Sequence, residues 1–146
     1  MSQANIQYVV SLAKRETNTI GFIPAPRYEL LAQQRRLRVQ LYNGEPCGFL
    51  AHGPLRPGRV LYIYQACIQS DARRLACATS LVCDLIRDAN AAYCAEIQLN
   101  CAADLPSNLF WQTLGFIRHA TSSPANTRRR QVNHYVLPLA RRFLLF

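Results

Sequence analysis

The spacing of apolar residues predicts two helices in the first part of the chain. Four apolar residues recur at helical spacing near the N-terminus: Ile6, Val9, Val10 and Ala13. They predict an amphipathic helix over residues 6–14, which residues 15 and 16 continue. A breaker segment at residues 21–24 ends this region. Pro26 stands where the first turn of a helix tolerates proline, so a second short helix is predicted over residues 27–34.

Apolar and polar residues alternate in the next part of the chain, which predicts β-strands. The alternation over residues 37–42 predicts a half-buried strand. Asn43-Gly44 is a strong hairpin signal, and the partner strand is predicted over residues 46–52. Residues 60–68 carry apolar side chains at both odd and even positions, which predicts a central strand that is buried on both faces.

The second half of the chain predicts helices and strands in alternation. Its elements are a helix over 78–91, a strand over 95–101, a helix over 108–114 and strands over 116–119 and 130–137. Ser107 is predicted to cap the second of these helices and Gly115 to end it. Residues 121–127 are predicted to form a polar turn. The resulting order, α-α-β-β-β-α-β-α-β-β, indicates an α/β fold with a mixed sheet.

Length and composition limit the class of protein. A chain of 146 residues fits a single domain with one core, and a hydrophobic fraction of 50% excludes a disordered chain. No apolar run approaches the roughly 20 residues that span a bilayer. The N-terminal residues show no basic segment followed by an apolar one, so we expect no secretory signal and a cytoplasmic protein.

The cysteines indicate a reducing compartment. They are Cys47, Cys67, Cys77, Cys83, Cys94 and Cys101. Because most of them lie inside apolar runs and none forms a Cys-x-x-Cys pair, we predict that they are buried and reduced. Ligand pairs with the spacing of a zinc site are absent from the sequence, so no metal site is predicted.

The charge is strongly basic and is carried almost entirely by arginine. The net charge is +9, and Lys14 is the single lysine among 17 basic residues. Arginine binds phosphates with a planar fork of donors, which favours nucleic acid or a phosphorylated cofactor as partner. The alternative is an ordinary solvated surface that is rich in arginine because of codon usage. The strongest basic cluster is Arg128, Arg129 and Arg130, which is either a phosphate-binding segment or a solvated hairpin tip.

The turn at residues 68–78 combines features of an anion site. It joins a predicted strand to a predicted helix, contains two arginines, and has small residues at Ala76 and Ala78. The first N–H groups of a helix have no partner inside the helix and lie at the positive end of its dipole. A phosphate group can therefore bind to this backbone.

Two motifs in this chain resemble those of the GCN5-related N-acetyltransferase (GNAT) superfamily. In that family the turn follows the pattern Gln/Arg-x-x-Gly-x-Gly/Ala, which Arg73, Ala76 and Ala78 match with one glycine replaced. A second block, residues 108–116, ends in Leu-Gly-Phe as the family's does. The resemblance covers about residues 37–137. It implies a single GNAT-like domain over residues 1–146, with a mixed, mostly antiparallel sheet flanked by helices.

The resemblance implies acetyl-CoA as acyl donor, with its pyrophosphate on the turn. The implied cofactor-binding residues are Cys67, Ile68, Arg73, Arg74, Leu75, Ala76, Cys77, Ala78, Thr79, Asn100, Asn108 and Trp111. Other interpretations remain for some of them: Asn100 as a turn residue at a strand end, and Trp111 as a core aromatic. Ala76 replaces a family glycine; its methyl group crowds the approach of the backbone to phosphate and restricts the dihedral angles, although a right-handed turn tolerates an alanine. Trp111 stands where many members have a tyrosine that protonates the leaving thiolate.

The resemblance also implies that side chains of this protein act as acids and bases in acyl transfer. The predicted catalytic residues are Tyr64, Gln65 and Tyr135, and the backbone of Cys67 or Ile68 is expected to stabilise the oxyanion. Further candidates are His119, His134 and Glu45. Each of these residues has a structural alternative as a packed or surface residue.

Two functions follow from these patterns. The first is an acyl-CoA-dependent N-acyltransferase whose amine acceptor the residues do not identify; the basic surface favours a negatively charged acceptor, such as a nucleic-acid-linked amine. The second is a non-catalytic GNAT-like fold that binds nucleic acid or protein. The C-terminal residues 141–146, basic and then apolar, are expected to dock on the core, on a second subunit of a homodimer or on a membrane surface.

Overall fold

The computed structural model describes residues 1–70, 76–123 and 130–139. The described helices are α1 (Gln3–Arg15), α2 (Thr17–Ile20), α3 (Ala25–Gln33), α4 (Cys77–Ala91) and α5 (Ser107–Thr113). The described strands are β1 (Leu37–Tyr42), β2 (Glu45–His52), β3 (Val60–Ile68), β4 (Glu96–Ala102), β5 (Ile117–Ser122) and β6 (Val132–Pro138).

The strands pair in the order β1-β2-β3-β4-β6-β5. Four of the pairings are antiparallel, and β3 with β4 is parallel over three residues, Val60 to Tyr62 on β3. The predicted α/β class with a mixed, mostly antiparallel sheet flanked by helices is confirmed. Among the described residues, no helix is long and apolar enough to cross a membrane.

The chain divides into two compact units. The first unit comprises Met1–Gly53 and Ile63–Leu85, and the second comprises Pro54–Tyr62 and Ile86–Phe146. The organisation of residues 1–146 as a single domain stays a prediction.

The first unit packs α1 and α3 against its strands. The amphipathic spacing of α1 buries Val9 and Leu12, which share one core with Leu31 of α3 and Phe49 of β2. Tyr28 meets the Phe49 ring edge-on, at 6.0 Å between centroids. These side chains lose almost all their contact with water, and each such burial stabilises the fold by about 2 kcal/mol.

The hairpin between β1 and β2 forms where the sequence predicts it. Tyr42 pairs with Glu45, which leaves a two-residue loop. Asn43 and Gly44 have φ of 51° and 81°. Both loop residues of the favoured type I′ turn need positive φ, which Asn-Gly adopts at low cost.

The second unit is built on the pairing of β4 with β6 and of β6 with β5. The β5 strand is exposed along its whole length. Trp111 of α5 is buried, with ring centroids 5.0 Å from Phe110 and 5.3 Å from Phe116. Both rings meet the indole edge-on, a geometry that aromatic pairs favour.

Several predicted details are wrong. Tyr62 and Tyr64 are 48% and 42% exposed, so β3 is central but not buried on both faces. Ser107 is the first residue of α5 rather than its cap, and no side-chain hydrogen bond caps that helix. Residues 121–122 belong to β5 rather than to a polar turn.

The cysteines largely follow the prediction. All six are free, and five of them are buried. Cys83 is exposed, which contradicts its predicted burial. It lies on α4 two positions from the buried Leu81 and Leu85, and residues two apart do not share a helix face.

Candidate functional site

The predicted anion site lies where β3 ends and α4 begins. Beyond Ile68, the N–H of Gln69 still donates to the carbonyl of Cys47, at 2.9 Å. The α4 helix begins at Cys77, and the carbonyl of Ala76 accepts the N–H of Ser80 at 3.0 Å. Ala76 therefore occupies the N-cap position, and residues 77–79 supply the first N–H groups of the helix.

Part of the predicted site lies outside the described residues. Arg73, Arg74 and Leu75 are among them, as are Arg128, Arg129 and residues 141–146. Arg130 is described and exposed, and its Nε lies 3.1 Å from Oδ2 of Asp104. An exposed ion pair of this kind contributes little to stability, about 0–1 kcal/mol.

Ala76 has a left-handed backbone. Its φ is 55°, so the turn is not the right-handed one that tolerates an alanine. This conformation brings Cβ close to the following carbonyl oxygen, which costs an L-residue about 1–2 kcal/mol. The turn thus keeps the backbone that suits a glycine, although the residue here is alanine.

Replacing Ala76 by glycine is expected to raise the free energy of unfolding by about 1 kcal/mol, because glycine adopts positive φ without the steric cost. Urea denaturation of the full chain measures the change. The control is Ala78→Gly, inside α4, which should instead lower stability by about 0.5–1 kcal/mol. Effects of the same sign in both variants would contradict a left-handed Ala76.

The end of β3 approaches β2 closely at Gly48. Gly48 pairs with Ile68, the last residue of β3. A Cβ built on Gly48 would lie 2.6 Å from the carbonyl oxygen of Cys67 and would overlap Cδ1 of Ile68. Only glycine allows this approach, so Gly48 determines where the backbone of Cys67 and Ile68 lies.

The register of β2 and β3 also decides which way the N–H of Ile68 points. Gln69 bonds to Cys47, and hydrogen-bonded pairs alternate with non-hydrogen-bonded pairs in an antiparallel ladder. Gly48 and Ile68 are therefore a non-hydrogen-bonded pair, the type with the shorter Cα–Cα distance. The N–H of Ile68 points to the side of β3 away from β2.

Gln65, a predicted catalytic residue, is held by the first unit. Its side chain is 4% exposed, and its Oε1 accepts the hydroxyl of Tyr28 at 2.7 Å. Its Nε2 donates to the carbonyls of Ile20 and Gly21 at 3.3 and 3.1 Å. Burial raises the pKa of Tyr28, while the bond with Gln65 partly offsets that rise. This network ties the segment after α2 to β3, and a catalytic role for Gln65 stays a prediction.

Tyr64 lies at an irregularity in β3. Ile63 pairs with His52 and Gln65 pairs with Ala51, so Tyr64 is the extra residue of a bulge. Bulges re-aim side chains, and Tyr64 is 42% exposed. Of the predicted catalytic residues, Tyr64 is the one with its side chain open to solvent.

Asn108 is the centre of a hydrogen-bond network in the second unit. Its Nδ2 donates to the carbonyls of Ala102 and Leu105, at 2.8 and 2.7 Å. Its Oδ1 accepts Nδ2 of Asn133 and the hydroxyl of Tyr135, at 2.8 and 2.7 Å. Both ends of the amide are therefore engaged with β4, the segment before α5, and β6.

The structure thus brings together two residues that were singled out for different roles. Tyr135 was predicted as catalytic and Asn108 as cofactor-binding, and they bond to each other. Tyr135 is 0% exposed, and its hydroxyl also accepts Nε2 of Gln112 at 3.4 Å. Both side chains hold α5 against β6, and their functional roles stay predictions.

The remaining predicted residues of the second unit differ in exposure. Trp111 is 6% exposed and packs between two rings, which agrees with its interpretation as a core aromatic. Asn100 is exposed within β4, and its Oδ1 lies 2.6 Å from Nδ1 of His134. Cys101 Sγ lies 3.3 Å from the hydroxyl of Ser107, and burial raises the pKa of this thiol.

Two residues that shape the first unit were not singled out from the sequence. Gly48 is one, although an isolated glycine in a strand signals a close backbone approach. His52 is the other: it is fully buried, with Nδ1 2.7 Å from the carbonyl oxygen of Gly53 and Nε2 accepting Nε of Arg38 at 3.1 Å. No local pattern distinguishes such a histidine from a surface one.

Comparison with solved structures identifies the fold. Ard1 from Thermoplasma volcanium superposes with a TM-score of 0.82 at 14% identity, covering 96% of this chain and 95% of that one. The ribosomal-protein-S18-alanine N-acetyltransferase from Escherichia coli gives 0.76 at 17% identity, covering 100% and 96%. An aminoglycoside 6'-N-acetyltransferase complexed with coenzyme A gives 0.79 at 13% identity, covering 97% and 94%.

Sequence comparison adds nothing to this likeness. No model of a protein family matches the chain, and no curated protein matches it. At identities this low, the superpositions show the fold and leave the activity to be argued from the residues.

Proposed function

We propose that this chain, which has the fold of the GNAT acetyltransferases, transfers an acyl group from acyl-CoA to an amine. The observation that carries the proposal is the turn after β3. Ala76 has the left-handed backbone that suits a glycine and is the N-cap of α4, so the first N–H groups of that helix follow it directly.

The residues at this turn suit a pyrophosphate. The α4 helix has 15 residues, and the N–H groups of its first turn come from Cys77, Ala78 and Thr79. Their side chains are small, and the helix dipole favours negative charge there. Arg73, three residues before Ala76 in sequence, is proposed to add a guanidinium to the same site.

The acyl group is proposed to lie at the end of β3. A neutral amine attacks the thioester carbon, and negative charge develops on the carbonyl oxygen. We propose the N–H of Ile68 as its donor, rather than that of Cys67, because the Ile68 N–H points away from β2. The contact between Gly48 and Ile68 supports this role, since it holds that backbone in place before the reaction.

The leaving thiolate needs a proton. Trp111 replaces the tyrosine that many family members use, and an indole N–H is not a practical acid. We propose Tyr64, the exposed tyrosine at the β3 bulge, as the donor. The net charge of +9 favours a negatively charged acceptor, and an amine linked to nucleic acid fits this charge.

Acetyl-CoA is expected to bind to the full chain in a calorimetric titration and to raise its thermal stability, by about 2.7 kcal/mol at a concentration 100 times the Kd. Arg73→Glu should abolish binding, because it places a like charge beside the pyrophosphate. Arg87→Glu, which makes the same charge change near the end of α4, should retain it.

The alternative is a GNAT-like fold that has lost catalysis and binds nucleic acid or protein. This alternative expects no binding at millimolar acetyl-CoA, and that result would remove the acyltransferase proposal. If acetyl-CoA binds, labelled acetyl groups offered with amines, peptides and nucleic acids identify the acceptor.

A further inference from the structure

A serine, a histidine and an asparagine form a hydrogen-bonded chain across three strands of the second unit. Oγ of Ser122 on β5 lies 2.8 Å from Nε2 of His134 on β6. Nδ1 of His134 lies 2.6 Å from Oδ1 of Asn100 on β4. We refer to these residues as the Ser122 cluster.

The partners decide which nitrogen of His134 carries the proton. Oδ1 of Asn100 can only accept, so Nδ1 of His134 carries the hydrogen and donates it. In the neutral ring Nε2 is then an acceptor, and the hydroxyl of Ser122 donates to it. The arrangement is that of a nucleophile, a base and a residue that orients the base.

A bulge in β5 creates this alignment. Arg118 pairs with Tyr135 but Ala120 pairs with His134, so His119 is an extra residue. In a regular ladder Ser122 would share the face of Tyr135, because side chains alternate with period two. The extra residue moves Ser122 to the face of His134.

Among the described residues, the neighbours of the Ser122 hydroxyl on the adjacent strands are short. Ser122 is exposed and pairs with Val132, which pairs in turn with Ala102. Ala120 of β5 is directly opposite His134 of β6. Because these neighbours are short, a small acyl group is proposed to fit beside the hydroxyl.

We propose that the Ser122 cluster is a second acyl-transfer site, which hydrolyses activated esters or thioesters of small acids. Oγ of Ser122 attacks the carbonyl carbon while its proton passes to Nε2 of His134. The imidazolium gives that proton to the departing alkoxide or thiolate, and the acyl group remains as an ester on Ser122. Water then attacks this ester with Nε2 as base, the acid departs, and the proton returns to Oγ.

Hydrolysis of p-nitrophenyl acetate by the full chain tests the site. Ser122→Ala and His134→Gln should each lower kcat/KM by roughly 100-fold, the lower end of what acid–base catalysis contributes. Ser123→Ala, the neighbouring hydroxyl, should retain the rate. Peptide mass spectrometry should find the acetyl group on Ser122, and Ser122→Cys should retain this labelling as a thioester.

Three outcomes would overturn the proposal: hydrolysis by the natural chain no faster than in buffer, an unchanged rate in Ser122→Ala, or an equal loss in Ser123→Ala. The test is separate from the proposed acyltransferase, because Ser122 is no part of the turn after β3. Acetyl-CoA binding should persist in Ser122→Ala whether or not hydrolysis is lost.

Asn100 acts in this proposal as a positioning residue. Asn100→Ala should lower kcat/KM by about 10-fold, since His134 loses the acceptor that orients it. Asn100→Asp keeps an acceptor for His134, so it should keep the kcat/KM of the natural chain. It should also move the His134 limb of the pH–rate profile to higher pH, because a carboxylate stabilises the imidazolium. An unchanged profile in Asn100→Asp would contradict the contact between Asn100 and His134.

Discussion

Replacing Asn108 by alanine is expected to lower the free energy of unfolding by about 3–4 kcal/mol. The change leaves the carbonyls of Ala102 and Leu105 without their donor, and Asn133 and Tyr135 without their acceptor. A part-buried polar group that loses its partner costs about 1 kcal/mol or more, and four are affected at once. Urea denaturation followed by tryptophan fluorescence measures the change, since Trp111 lies in the same helix.

Matched variants separate the network from helix propensity. Asn5→Ala, at a half-buried position in α1, makes the same substitution in a helix and should leave stability unchanged or slightly raised. Tyr135→Phe removes one hydroxyl and should cost about 1 kcal/mol. Asn108→Asp keeps the acceptor but loses both donors. Its loss of unfolding free energy should therefore lie between those of Tyr135→Phe and Asn108→Ala. A loss below 1 kcal/mol in Asn108→Ala would show that water replaces the network.

Gly48→Ala is expected to lower the free energy of unfolding by about 2–3 kcal/mol, because overpacking at this level forces the backbone to move. The new methyl group would overlap Ile68 and lie 2.6 Å from the carbonyl oxygen of Cys67. Since Ile68 is the proposed oxyanion donor, acetyl transfer should fall more than acetyl-CoA binding does. Denaturation, calorimetry and single-turnover acetylation measure the three effects.

Two comparisons identify the cause of a Gly48 effect. Gly48→Ala combined with Ile68→Ala removes the side-chain overlap but not that with the Cys67 carbonyl, so the double variant should recover only part of the packing strain. Gly21→Ala meets no atom within 4 Å, but φ of 80° and ψ of −176° are angles that essentially only glycine adopts, so its cost is backbone strain alone, about 1–3 kcal/mol. Wild-type stability in Gly48→Ala would contradict the close approach of β2 and β3.

The fold was largely predictable from local patterns. Alternation and helical spacing located the strands and the longer helices, and Asn43-Gly44 located the hairpin. The α2 helix escaped prediction because four residues are too few to display a period. The exposure of Tyr62 and Tyr64 escaped it because aromatic side chains have the same apolar character on an open face as in a core.

The candidate sites were predictable only in part. The small residues near Ala76 predicted a phosphate-binding turn, but no residue pattern indicated that the alanine would be left-handed. Asn108 and Tyr135 were recognised as noteworthy, yet their bond joins residues 27 apart in sequence. The partners of a polar side chain depend on which strands become neighbours, and no local pattern contains that information.

The sequence by itself determined most of the elements, the hairpin turn and the strong positive charge, because these depend on residues a few positions apart. The tertiary structure alone decided register. The bulge at His119 turns Ser122 toward His134. The close approach of Gly48 to Ile68 determines where the backbone at the end of β3 lies. Register depends on how whole strands pack against each other, and a shift of one residue exchanges the two faces of a strand.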